Sequence, residues 1–175
     1  MKPWLPKSSE IVLKHFGRAI KKVEFQMPDG SRSDYYIREE PVAVAVLALT
    51  KDQKFILVRQ FRPGPMRVLD ELPGGYVGVG EEPIDAARRE LLEESGYSGK
   101  LEFVTCCYDD AYSSMHRHCF VAIDCEKVTE PSMEETKGEM PEIILATKDE
   151  LLQNMRSGMM TDVEVAYLGL DFLKD

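Results

Sequence analysis

The hydrophobic positions of this chain first alternate, then run together, then recur with a helical period. Residues 9–14 (SEIVLK) and 19–27 (AIKKVEFQM) read as strands. Pro28-Asp29-Gly30 is a turn signal, because Gly supplies a positive φ there, and a strand at 33–38 closes the hairpin. Residues 42–49, VAVAVLAL, form a continuous apolar run. Such a run suggests a strand buried on both faces; its three alanines are all that favours a helix. Lys51-Asp52 opens a turn, 54–61 pairs back, Pro63-Gly64-Pro65 marks a loop, and Val68 to Leu72 is a short strand. Residues 100–108 and 115–124 read as a strand pair joined by DDAYSS, and 142–146 as one further strand. Helical periodicity fills the rest. Thr147 with Glu150 has the spacing of a capping box, opening a helix that runs to about Arg156 and ends at Gly158. Thr161 with Glu164 repeats the spacing, and Val163, Ala166, Tyr167, Leu170 and Leu173 mark the buried stripe of a last helix.

The stretch from Gly75 to Tyr97, GYVGVGEEPIDAARRELLEESGY, reads as a loop entering a helix. Pro83 suits the first turn and Gly96 the left-handed residue past the end. Ile84, Ala87 and Leu91 form the apolar stripe. Glu90, Glu93 and Glu94 share an arc about 100° wide, with Glu90 and Glu94 on one shoulder of the stripe, at the edge of the core. Like charges at i,i+4 oppose the helix by a few tenths of a kcal/mol, and acids in the last turn face the negative end of its dipole. A divalent metal would offset that charge, and oxygen ligands suit Mg²⁺ or Mn²⁺ rather than zinc. The charges alone fit equally a solvated acidic face paired with Arg88 and Arg89.

The spacing decides between these. The stretch resembles the Nudix box, G-x5-E-x7-R-E-U-x-E-E-x-G-U, at Gly75, Glu81, Arg89, Glu90, Leu91, Glu93, Glu94 and Gly96; Tyr97 replaces the usual aliphatic residue. VRQFR and ELPGG before the box, and the N-terminal run ending in PDG, are similar to the ADP-ribose pyrophosphatase branch of the Nudix hydrolases. The resemblance implies an α/β/α sandwich around a mixed sheet, with an extra N-terminal antiparallel sheet. It implies a single domain over 1–175, with strands in 1–40 that dimerise and a core over 41–175. It implies Mg²⁺-dependent hydrolysis (Mn²⁺ substituting) of a nucleoside diphosphate linked to another moiety, such as ADP-ribose to AMP and ribose 5-phosphate. A sugar nucleotide or dinucleotide substrate is the alternative, and a non-catalytic nucleotide-binding module a further one. No proline occurs between Gly96 and Pro131, where that branch usually carries one, which leaves the exact substrate open.

Carried over residue by residue, the resemblance makes Glu90, Glu93, Glu94 and the backbone carbonyl of Gly74 the metal ligands. Arg62 matches a substrate-phosphate contact, although pairing with Glu71 is the competing reading. Glu81 ligates indirectly or fixes the loop, and Arg89 orients the glutamates. Tyr112 either stacks on a base or packs on a rim. The base that activates water is Glu93 or a glutamate of the acidic loop 126–142, with Glu139 ahead of Glu135 and Glu134.

Composition narrows the partners. A net charge of −9 argues against a protein that grips nucleic acid by its phosphates. No apolar run approaches the ~20 residues of a membrane span, and the N-terminus lacks the features of a signal peptide. The four cysteines have no scaffold or metal spacing, so reduced thiols in a cytoplasmic protein are expected. His116 and His118 share a strand face without a metal pattern.

Overall fold

The computed structural model describes residues 1–15, 17–132 and 141–174, which form two compact units. The first comprises Met1–Val42 and Cys107–Arg117. In it β1 (Leu5–His15), β2 (Arg18–Gln26) and β3 (Arg32–Glu39) make an antiparallel sheet in that order. The 28–30 turn forms as expected, with the Gly30 N–H donating to the Met27 carbonyl at 2.9 Å. β2 and β3 pair without interruption, whereas β1 slips register between Pro6 and Ser8 and between Ile11 and Leu13. Every residue of β1 is exposed. Trp4, Phe25 and Tyr35 pack ring against ring, with Trp4 and Tyr35 centroids 5.1 Å apart. Asp109 and Asp110, which open the DDAYSS connection, both hold the Arg38 guanidinium, Asp109 at 2.7 Å.

The second unit comprises Ala43–Cys106 and His118–Asp175. It holds β4 (Ala43–Thr50), β5 (Phe55–Arg62), β6 (Arg67–Glu71), β7 (Gly74–Tyr76), β10 (Glu142–Ala146) and most of β8 (Tyr97–Tyr108) and β9 (His116–Lys127). Its helices are α1 (Pro83–Ser95), α2 (Lys148–Ser157) and α3 (Val163–Phe172). The sheet runs β10-β5-β4-β9-β8, with β6 added to β5 and β7 to β4. Together the two units make an α/β fold with a mixed sheet and a separate antiparallel one, as expected.

β4 is buried along its whole length, which explains the unbroken apolar run. Its alternate residues serve two helices. Val44, Val46 and Ala48 pack with Ala86, Ala87 and Leu91 of α1, joined by Ile56 of β5 and by Phe120 and Ala122 of β9. Leu47 and Val121 face the other way, towards Gly169 of α3, where any added Cβ would lie 2.7 Å from a Leu47 methyl carbon. Helices on opposite faces of one sheet are the sandwich that the resemblance implied. Full burial of a large aliphatic side chain contributes ~1.5–3 kcal/mol, so this layer dominates the stability of the unit.

Two helix faces differ from the sequence reading. In α1 the buried residues are Ala86, Ala87, Glu90, Leu91 and Ser95, while Ile84 is exposed. At about 100° per residue those five centre the buried face on the direction of Glu94 and leave Ile84 at its margin. The acids thus sit within the buried face rather than at its shoulder. In α3 the buried set is Val165, Ala166, Gly169 and Leu170, and Tyr167 is exposed. Close approach at Gly169 sets that rotation, a packing fact that apolar periodicity does not carry.

The capping box of Thr147 and Glu150 forms in full. The second one does not: α3 is preceded by Asp162 at φ 53°, with no side-chain cap. The Thr161 N–H donates instead to the Asp70 carbonyl at 3.1 Å, and its hydroxyl to Asp162 Oδ2. None of the described helices is long and apolar enough to cross a membrane.

Candidate active site

The site is built where α1 crosses the end of β7. The helix ends as expected: Gly96 has φ 75° and its N–H donates to the Leu92 carbonyl at 2.8 Å. Tyr97, the unusual last residue of the box, is half-buried against the α1 core and fills the aliphatic role. Beneath the helix, Gly75 carries no side chain, and a Cβ there would collide with the Glu90 carboxylate, 2.7 Å from its Oε2. The glycine therefore clears a berth for an acid. Gly75→Ala would push against the far end of a flexible side chain rather than against backbone, so the fold should survive while Glu90 moves. We expect a melting temperature within a few degrees of the parent and kcat down roughly a hundredfold, the scale of an ångström-sized misplacement. Unchanged kcat would mean that Glu90 need not occupy this position.

Glu90 is 4% exposed and accepts from Arg89 Nη1 at 2.8 Å. Glu94, one turn on, accepts the Gly74 N–H at 2.9 Å. Burial pushes Glu94 up to about 8, and Glu90 and Glu71 add to the rise, against the Gly74 N–H and Arg62. A carboxyl raised from 4.5 on folding favours the protonated form. Its stabilisation is complete below about pH 4.5 and is lost as pH rises towards 8, at up to about 1.4 kcal/mol per pH unit. Metal-free protein should accordingly lose stability from this group between pH 5.5 and pH 8, and Glu94→Gln should remove that slope. Melts in a chelator at both pH values test this, and an undiminished slope in the variant would assign the effect elsewhere.

Arg89 is the organising cation. Its Nε and Nη2 fork onto Glu81 at 2.9 and 3.0 Å, Nη1 reaches Glu90 and also Glu93 at 3.1 Å, and Nη2 donates to the Tyr76 carbonyl at 3.0 Å. Those five bonds use all five N–H groups of a guanidinium. Glu81 also accepts the Gly78 N–H at 2.7 Å, and Arg89 with that N–H lowers its pKa to about 2. Glu81 thus pins the loop to the helix. Arg88 pairs with Asp85 at the surface.

On the neighbouring β5–β6 ladder, Arg62 forks onto Glu71, with Nε to Oε1 at 2.7 Å and Nη2 to Oε2. The pairing raised as the competing reading for Arg62 is therefore present, but Glu71 is 5% exposed and not a surface partner. Arg62 also feels Glu94 and Asp162, so it lies beside the acidic cluster. Sequence reasoning missed Asp70, which takes a fork from Arg59 at 2.7 and 3.1 Å and a bond from Asn154 at 2.6 Å. Consecutive strand residues point to opposite faces, so adjacent acids after a strand bearing two arginines were the available signal.

Tyr112 belongs to the first unit, stacked on Tyr35 at a 14° interplanar angle and largely exposed. His116 packs edge-on to Tyr108 and His118 against Phe103, and none of the four cysteines is in a disulfide. Glu134, Glu135 and Glu139 lie outside the described residues. Among the described residues no three acids, histidines or cysteines already form a metal-ligand group. The donor set nevertheless fits a hard divalent cation: two carboxylates on one buried helix face, oxygen ligands only, and a charge so poorly compensated that Glu94 is driven towards neutrality.

A NUDIX domain family model matches residues 39–160 of the chain. The ADP-ribose pyrophosphatase of Bacillus subtilis (strain 168) is 36% identical over 146 residues, covering 82% of this chain and 78% of its own. The methanol dehydrogenase activator of Bacillus methanolicus is 31% identical over 162 residues, covering 88% and 87%. The ADP-sugar pyrophosphatase of Mus musculus is 36% identical over 105 residues, 57% of this chain and 48% of its own. A solved structure described as an ADP compounds hydrolase covers 99% of this chain and 96% of its own at 21% identity, with a TM-score of 0.83, a likeness of fold.

Proposed function

The chain belongs to the NUDIX domain family, and on that premise we propose that it hydrolyses a nucleoside diphosphate linked to a second moiety, first of all ADP-ribose, to AMP and ribose 5-phosphate. The observation that carries this reading is the pair of carboxylates one turn apart, Glu90 buried and Glu94 part-buried, held over a glycine strand end beside Arg62. A phosphoanhydride resists attack because its oxygens are negative. A cation held by Glu90, Glu94 and the Gly74 carbonyl, Mg²⁺ in this reading and Mn²⁺ as substitute, would screen those oxygens and make an attacking water more acidic. Arg62 offers hydrogen bonds to the phosphates. Arg89, with every N–H engaged within the protein, orients the glutamates rather than touching substrate. Glu81 keeps the entry loop closed on Arg89. The proton of the attacking water passes to Glu93, whose side chain is 40% exposed, or to Glu139.

The test is turnover of ADP-ribose in Mg²⁺, with products separated and identified, alongside an ADP-sugar and a dinucleotide cofactor. AMP from ADP-ribose supports the proposal, and absence of AMP from all of these in Mg²⁺ and Mn²⁺ rejects it. The same reading extends to a homodimer formed through the N-terminal strands. Support comes from β1, where Leu5, Ile11, Val12 and Leu13 stand exposed on an edge strand. Sedimentation at micromolar concentration should give twice the chain mass; a monomer would sink the dimer.

A further inference from the structure

We propose that Glu71 is a positioning residue: it aims the Arg62 guanidinium at the substrate diphosphate, and Gln60 locks the carboxylate in place. This rests on the reading of Arg62 as a phosphate contact. β5 and β6 pair antiparallel with Val58 opposite Glu71 and Arg59 opposite Asp70. Opposed residues share a face and neighbours alternate, so the two adjacent acids serve opposite sides of the sheet. Ile56 of β5 packs in the α1 core, so Val58, Gln60, Arg62 and Glu71 look towards α1 and its acids. Arg59 and Asp70 look towards α2, where Asn154 completes their cluster.

Each acid holds an arginine by a two-point fork, but the two forks have different surroundings. Asp70 is enclosed by scaffold: its N–H and carbonyl bond to Met159 and Thr161, and its carboxylate to Arg59 and Asn154. Glu71 is as deeply buried, and Arg59 and Arg62 are about equally exposed, with side chains at 41% and 43%, but Arg62 stands beside Glu94. The fork uses two of the five N–H groups of Arg62, on Nε and Nη2. Among the described residues nothing accepts from Nη1, so that edge is presented outward. Gln60 Nε2 donates to Glu71 Oε2 at 3.2 Å, which stops the carboxylate from rotating away. An arginine on a flexible stem beside several carboxylates would otherwise collapse onto the nearest one. A buried acid that claims its Nε side leaves the far side free for an anion, and bidentate geometry fixes the plane of the guanidinium as well as its distance.

The experiment measures calorimetric affinity for inorganic pyrophosphate with Mg²⁺, together with kcat and KM for ADP-ribose, in Glu71→Gln, Arg62→Ala, the double variant and Asp70→Asn. Glu71→Gln should weaken pyrophosphate about tenfold and raise KM by a similar factor, with kcat within about threefold. Added to Arg62→Ala it should cost little further, because Glu71 reaches the diphosphate through Arg62. Asp70→Asn should lower the melting temperature while leaving affinity within about twofold. Glu71→Asp, which keeps the charge on a shorter stem, should fall between parent and Glu71→Gln, and it carries the test if Glu71→Gln does not fold. Unchanged affinity in both Glu71 variants, or a loss that adds in full to that of Arg62→Ala, would overturn the proposal. Failure of the catalytic reading looks different: no turnover by the parent protein, with the pyrophosphate affinities still reporting on Glu71.

Discussion

Glu90→Gln and Glu94→Gln should each cut kcat by roughly a hundredfold or more, while moving stability in opposite directions. Each change keeps the shape of the side chain and removes one charge from the cluster. Their surroundings differ. Among the described residues Glu94 has the Gly74 N–H as its hydrogen-bond partner, and it is already driven towards its neutral form by burial. A glutamine there can still accept that N–H, so metal-free Glu94→Gln should melt higher than the parent at pH 8. Glu90 is the buried acceptor of Arg89 Nη1. Neutralising it leaves a cation facing an amide, a loss of about 1–3 kcal/mol for a charge-assisted bond, so Glu90→Gln should melt lower. Magnesium should raise the melting temperature of the parent and of neither variant to the same extent. If both variants keep near-normal turnover in Mg²⁺, the box serves as an ordinary helix. If both melt alike, the two carboxylates are not in the different environments described.

The limits of α1 were legible because they are local chemistry. Pro83 can start a helix, Gly96 can take the left-handed turn that ends one, and neither needs a neighbour. β4 was legible because burial on two faces leaves an unbroken apolar run, and β10 falls at 142–146 as expected. The ends of β1, β8 and β9 were not. These strands continue through polar residues such as Lys7, Ser98 and Glu126, because ladder hydrogen bonds come from the backbone whatever the side chain. The charged site was legible in its residues but not in its depth. An amphipathic reading places acids at the margin of the core; it cannot know that β7 arrives with two glycines and leaves a berth for Glu90 under the helix. The capping box at Thr161 failed for a related reason. Its local pattern was sound, but a residue distant in the chain, Asp70, had already claimed the amide.

Arg89→Ala should be the most damaging single change in the site, for stability and turnover together. The guanidinium makes five hydrogen bonds to Glu81, Glu90, Glu93 and the Tyr76 carbonyl. Truncation strands three carboxylates near one another and leaves Glu90 buried without its cation. Breaking a buried ion pair from one side costs about 3–5 kcal/mol, and because Glu81 and Glu93 can turn to water the lower end, about 3 kcal/mol, is expected. Turnover should fall at least about a hundredfold, since Glu90 and Glu93 lose the group that fixes their direction. Arg89→Lys separates charge from geometry. Lysine keeps the cation but has three donors and no planar fork, so it cannot serve five acceptors. It should recover much of the stability and little of the turnover. Mg²⁺ should stabilise Arg89→Ala more than it stabilises the parent, because a cation between the glutamates replaces part of the lost charge. Melts with chelator and with Mg²⁺, set against kcat for the same proteins, provide the check. A lysine variant with parental turnover would show that charge alone is required, and that the five-bond arrangement is incidental to catalysis.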